Sequence, residues 1–91
     1  MRHYYAIAER GNGPTWWISF PGASIYSAAD DAGEIVAQAT DALDTAVDAG
    51  MTLPRSIEDG AKPPADLSGF EQPAIVIVIP FEHATEAKAA A

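Results

Sequence analysis

The sequence predicts an α+β domain in which one sheet carries a single helix across one face, with its elements in the order βββαβ. Three observations predict it. Residues 30–50, DDAGEIVAQATDALDTAVDAG, repeat apolar residues at the spacing of one amphipathic helix. Residues 2–27 hold three short runs of aromatic and β-branched residues separated by Gly- and Pro-containing turns. Residues 74–79, AIVIVI, form an unbroken apolar run of strand length. A chain of 91 residues buries only about 60–65% of the surface its unfolded form exposes, so these elements share one core.

Residues 2–9, RHYYAIAE, read as a first strand with Tyr4, Ala6 and Ala8 on one side and Tyr5, Ile7 and Glu9 on the other. Arg10-Gly11-Asn12-Gly13-Pro14 concentrates turn formers and predicts a hairpin. Thr15 to Phe20 is the second strand. Its alternation places Trp16, Ile18 and Phe20 under the helix and leaves Trp17 on the opposite face, where a large aromatic covers a neighbouring strand or anchors an interface. Pro21-Gly22 ends this strand, and Ala23 to Ser27 is a short third one.

In the helix, Ile35, Val36, Ala39, Leu43, Ala46 and Val47 form the apolar stripe, and Glu34, Asp41, Asp44 and Asp48 fall roughly opposite. Ser27 or Asp30 is the expected N-cap, and Gly50 the left-handed residue that ends the helix. Residues 51–69 hold three prolines and two glycines among a few apolar anchors and predict a long irregular connection. Gln72 to Phe81 is the last strand, with Ile75, Ile77 and Ile79 on one face and Val76 and Val78 on the other. Apolar on both sides, it belongs either at the centre of the sheet or in a homo-oligomer interface, a dimer or higher. The domain is thus expected over residues 1–82, with residues 83–91 an Ala-rich tail that is helical for a turn or two, disordered, or the stub of a removed segment.

Thirteen acids against five bases give a net charge of −8, which repels phosphate backbones and disfavours direct nucleic-acid binding. The same charge suits a basic protein partner. Zero cysteines exclude disulfides, thiol catalysis and Cys-based zinc sites. The longest apolar run is too short to span a bilayer and the first residues lack a signal-peptide core, so a soluble, cytoplasmic protein is expected. A sheet with a helix across it in the order βββαβ is the beginning of a ribonuclease-H-like layout. A two-metal nuclease, however, needs acids converging from strand interiors, where this chain has Tyr, Trp, Ile and Val. Glu9 and Glu82 stand only at strand ends, Glu34 stands on the helix as the acid a residual nuclease would need, and His3 and His83 have no partner at metal-ligand spacing. No serine occupies a nucleophile elbow. The expectation is therefore no enzyme, with no catalytic residue, metal or cofactor.

The combination Tyr4-Tyr5-Ala6-Ile7, a Gly-rich turn, Trp16-Trp17-Ile18-Ser19-Phe20-Pro21-Gly22, a short strand and an Ala- and acid-rich helix opening at Ser27 to Asp31 resembles the HicB antitoxin family of type II toxin-antitoxin systems. Leu53-Pro54 after the helix fits as well, and residues 73–82 match by position and type. The resemblance implies a partial, non-catalytic ribonuclease-H-like fold that binds and neutralises a small basic HicA-type mRNA ribonuclease. Phe20-Pro21-Gly22 is contracted relative to the family's loop, and the residues after the last strand are too few for the operator-binding module that many members carry. The candidate partner-binding residues are Trp17, Glu34, Asp41, Asp44 and Asp48, and the candidate oligomer interface is Ile75, Val76, Ile77, Val78 and Ile79. The alternative reading is a small oligomeric ligand-binding domain with Trp16 or Trp17 and Tyr26 around a cleft.

Overall fold

In the computed structural model, which describes residues 1–82, four strands and one α-helix follow the expected order. Strands β1 (Arg2–Glu9), β2 (Trp16–Ser19), β3 (Tyr26–Ala29) and β4 (Ala74–Phe81) form one antiparallel sheet in the order β3-β2-β1-β4. Helix α1 (Ile35–Asp48) lies between β3 and β4 in the chain and packs on one face of the sheet. Among the described residues no helix is long and apolar enough to cross a membrane. The expected tail, residues 83–91, lies outside the described residues.

Residues paired across antiparallel strands point to the same side, so the register sorts the sheet into two faces. Tyr4, Ala6 and Ala8 share a side with Ile18, Ala29 and Ile79, and these meet Ile35, Ala39, Leu43 and Ala46 of α1. Phe20, Ile25 and Phe81 close this core, with the Phe81 ring edge-on to Tyr4 at 6.3 Å. Alanines at 6, 8, 39 and 46 put little side-chain volume between helix and sheet, which lets α1 lie close. The opposite face carries Tyr5, Ile7, Glu9, Trp17, Ser19, Tyr26, Val76 and Val78.

The start of the helix departs from expectation. A 3-10 turn, Ala32–Glu34, precedes α1, and Asp31 caps it by accepting a hydrogen bond from the Gly33 N–H at 2.9 Å. Neither Ser27 nor Asp30 is the cap. Ser27 belongs to β3, which runs a few residues later than the alternation suggests, and its hydroxyl donates to the Gln38 carbonyl. Val36 leaves the apolar stripe and is 45% exposed, because at about 100° per residue it falls beside the buried arc and not within it. The C-terminus ends as expected. Gly50 has φ 76°, and the Gly50 and Met51 amides bond back to Val47 and Ala46 in a Schellman arrangement. Gly50→Ala is expected to cost about 1 kcal/mol from the left-handed conformation alone, measured by urea unfolding.

After Gly50 the chain does not cross directly to a parallel strand. Ser56 to Glu58 lie beside the start of β1, where the Ile57 amide donates to the His3 carbonyl at 2.8 Å. Glu71 and Pro73 lie beside its end, where the Glu71 amide donates to the Glu9 carboxylate and the Arg10 amide to the Pro73 carbonyl. The connection has therefore travelled the length of β1 before β4 begins, and β4 runs back antiparallel to it. Of the two places expected for the apolar last strand, the structure does not show the centre of the sheet: among the described residues β4 pairs with β1 alone and is an edge.

Candidate functional site

The first strand turns a local alternation into a surface. Because Glu9 pairs with Trp17 and Ser19 with Tyr26, these four side chains point to the sheet face opposite α1. The returning connection adds Phe70. Together Glu9, Trp17, Ser19, Tyr26 and Phe70 line a pocket of about 220 Å³. Trp17 is 58% exposed and Tyr26 71% exposed, the two most exposed aromatic residues among the described ones. Ile7, which points to the same face, is only 3% exposed, so the centre of this face is covered while its β2–β3 end stays open.

Trp16 does not join this site. It packs against the helix-side core and carries the Arg10 guanidinium over its ring, 5.2 Å from the centroid. The neighbouring tryptophans have opposite roles because adjacent residues of a strand face opposite sides.

The candidate partner residues are not brought together. Trp17 lies on one side of the sheet, whereas Glu34, Asp41, Asp44 and Asp48 lie with α1 on the other. Glu34, Asp41 and Asp48 are exposed, and Asp44 is half-buried. Only around the β3 edge do the two groups approach. There Tyr26 lines the aromatic pocket and also a groove of about 460 Å³, whose other wall includes Asp41, Thr45 and Met51. Residues 30–48 hold six of the thirteen acids and no Lys or Arg, so the helix side is the strongly anionic one. Among the described residues no three or more His, Asp or Glu side chains group as a metal site.

A second polar cluster fastens the connection to β1. The His3 amide donates to Glu58 Oε1 at 2.8 Å, and the His3 ring Nδ1 stands 2.5 Å from Glu58 Oε2. Arg2 bonds Asp59 at 2.7 Å and the buried Ser56 hydroxyl at 3.1 Å. Hydrogen bonding from the His3 side chain, then from its backbone amide, lowers the Glu58 carboxyl from 4.5 to about 2. A carboxyl depressed in the folded state contributes stability that is complete above its unfolded value. That contribution fades as pH falls from about 4.5 towards 2. An NMR titration is expected to place the Glu58 midpoint near 2 and to return it towards 4.5 in His3→Ala. An unchanged midpoint in that variant would remove His3 as the cause.

Comparisons with models of known families, with curated proteins and with solved structures find no match for this chain.

Phe70 is a site residue that the sequence does not single out, and Glu9 is legible there only as a strand-end acid. Glu9 carries a usable signal, since a tight 10–15 hairpin sets it across from Trp17. Phe70 carries none, standing alone in an irregular segment.

Proposed function

We propose that this chain is a protein-binding domain of the HicB antitoxin type, with a partial ribonuclease-H-like sheet, that sequesters a small basic HicA-type ribonuclease. The observation that carries the reading is the open aromatic pocket of Trp17, Tyr26 and Phe70 with Glu9 among its lining residues. Aromatic faces beside a carboxylate suit a Lys or Arg side chain, and exposed tryptophan and tyrosine are the residue types that dominate interface energetics. The helix acids serve a different purpose. They spread along the helix on the other side of the sheet and supply a long-range field that steers a cationic partner. The βββαβ order with the helix on one face supports the ribonuclease-H-like layout, and the antiparallel β4 is where the chain departs from a direct βαβ crossover.

The partner expected is a basic chain of about 60–90 residues encoded beside this one, a small-domain size. Mixing the two in equal amounts is expected to give a complex on size exclusion and to suppress RNA cleavage. Two proteins that elute separately, with cleavage undiminished, would overturn the reading.

The same pocket supports a second reading, a small-molecule site flanked by Trp17 and Tyr26. Its size favours the first: about 220 Å³ accommodates one side chain and falls below the roughly 300–1,000 Å³ of typical ligand pockets. A metabolite that raised the melting temperature and quenched tryptophan fluorescence, with no basic protein present, would favour the second.

A further inference from the structure

The longest unpaired feature of the described fold is the outer edge of β4, and its backbone pattern can be read from His3. The His3 amide donates to Glu58 and its carbonyl accepts from Ile57, so neither group bonds β4. In an antiparallel pair such residues alternate with hydrogen-bonded ones. His3–Pro80, Tyr5–Val78, Ile7–Val76 and Glu9–Ala74 are therefore the non-bonded pairs. It follows that the N–H groups of Ala74, Val76 and Val78 point outward, away from β1, where β4 has no neighbouring strand among the described residues. Pro80 stands at the next outward position, where the missing N–H costs the β1 ladder nothing.

Apart from Pro80 near one end, this edge lacks the devices that normally blunt one. All eight residues of β4 are uncharged, in a chain of net charge −8, and Ile75 and Val78 are 42% and 48% exposed. The other open edge, β3, is only four residues long. We propose that β4 pairs antiparallel with β4 of a second copy of this chain, around a two-fold axis at Val76, to join the two sheets into one. A second copy is the fitting occupant for two reasons. An antiparallel edge is self-complementary under a two-fold axis, and β4 itself carries no acid to set against another across the seam. The register centred on Val76 sets Ala74 opposite Val78 of the second copy and Ile75 opposite Ile77. It uses only residues that carry an N–H, keeps Pro80 out of the ladder and gives both exposed side chains an apolar neighbour. It also leaves the Trp17 pocket free, because that pocket lies towards the opposite edge of the sheet.

Sedimentation equilibrium of the full chain is expected to return twice the monomer mass. Val76→Pro removes an outward N–H without touching the β1 ladder, and Ile75→Lys sets a charge against the second copy's Ile77. Each is expected to weaken dimerisation at least tenfold while the far-ultraviolet circular dichroism stays that of the parent. The parent has no cysteine, so a spin label at Glu82→Cys reports the register. Twelve residue steps separate the two labels in the Val76-centred pairing, roughly 40 Å, against about 5 Å for a parallel pair. A monomeric parent, a dimer indifferent to both substitutions, or labels close together would overturn the proposal.

Discussion

Leu43→Ala is expected to lower the unfolding free energy by about 3 kcal/mol, a large share of what holds a domain of this size together. Leu43 is fully buried at the middle of α1, in the core that the helix shares with the sheet. The core is close-packed, and its alanines at 6, 8, 39 and 46 have no side chain long enough to fill the void. The cavity therefore persists and its cost adds to the lost transfer energy. Small domains hold roughly 5–10 kcal/mol in total, so the variant is expected to have little stability left. Urea unfolding followed by tryptophan fluorescence measures it. Val36→Ala, earlier in the same helix but at a position 45% exposed, is the control and is expected to change stability by less than about 0.5 kcal/mol. Equal effects at the two positions would show that α1 is seated on the sheet by a different face.

Trp17→Ala is expected to weaken the complex with the basic ribonuclease about 30-fold, chiefly by faster dissociation, and to leave the melting temperature unchanged. The side chain is 58% exposed and outside the helix-side core, so its removal costs the free fold little. At an interface the same ring is the kind of anchor whose truncation costs about 2 kcal/mol, which corresponds to that factor. Glu34→Gln with Asp41→Asn is expected to act differently. Exposed charges away from the contact alter the encounter rate, so association should slow several-fold and become less sensitive to salt, with dissociation unaffected. Surface-binding kinetics at two ionic strengths separate the two effects. A Trp17 variant that binds normally beside an acid variant that dissociates quickly would move the contact from the sheet face to the helix.

Much of the fold is legible because it is local. β1 runs over the residues that its alternation marks, Gly50 ends the helix because only glycine adopts φ 76° without strain, and Trp16 and Trp17 separate because a strand alternates. The helix start is less legible. Ser27, Asp30 and Asp31 are all competent caps, and the choice of Asp31 follows from β3 continuing to Ala29, a tertiary outcome. The candidate site is half legible. Trp17 stands out from its own strand, but its association with Glu9, Tyr26 and Phe70 depends on a strand register and on a long loop.

By itself the sequence determines which segments become strands and helix, which side of each segment is apolar, and that the surface is anionic. Those properties follow from turn chemistry and periodicity, which act over a few residues. The tertiary structure alone decides that the apolar last strand is an edge, that it runs antiparallel to β1, and that Phe70 completes the pocket beside Trp17. Each of those depends on how the residues from Ala49 to Pro73 carry the chain back along β1, and so on contacts between residues as distant as His3 and Glu58 or Glu9 and Glu71. A periodic pattern fixes the sides of a strand but carries no information about which strand will lie beside it.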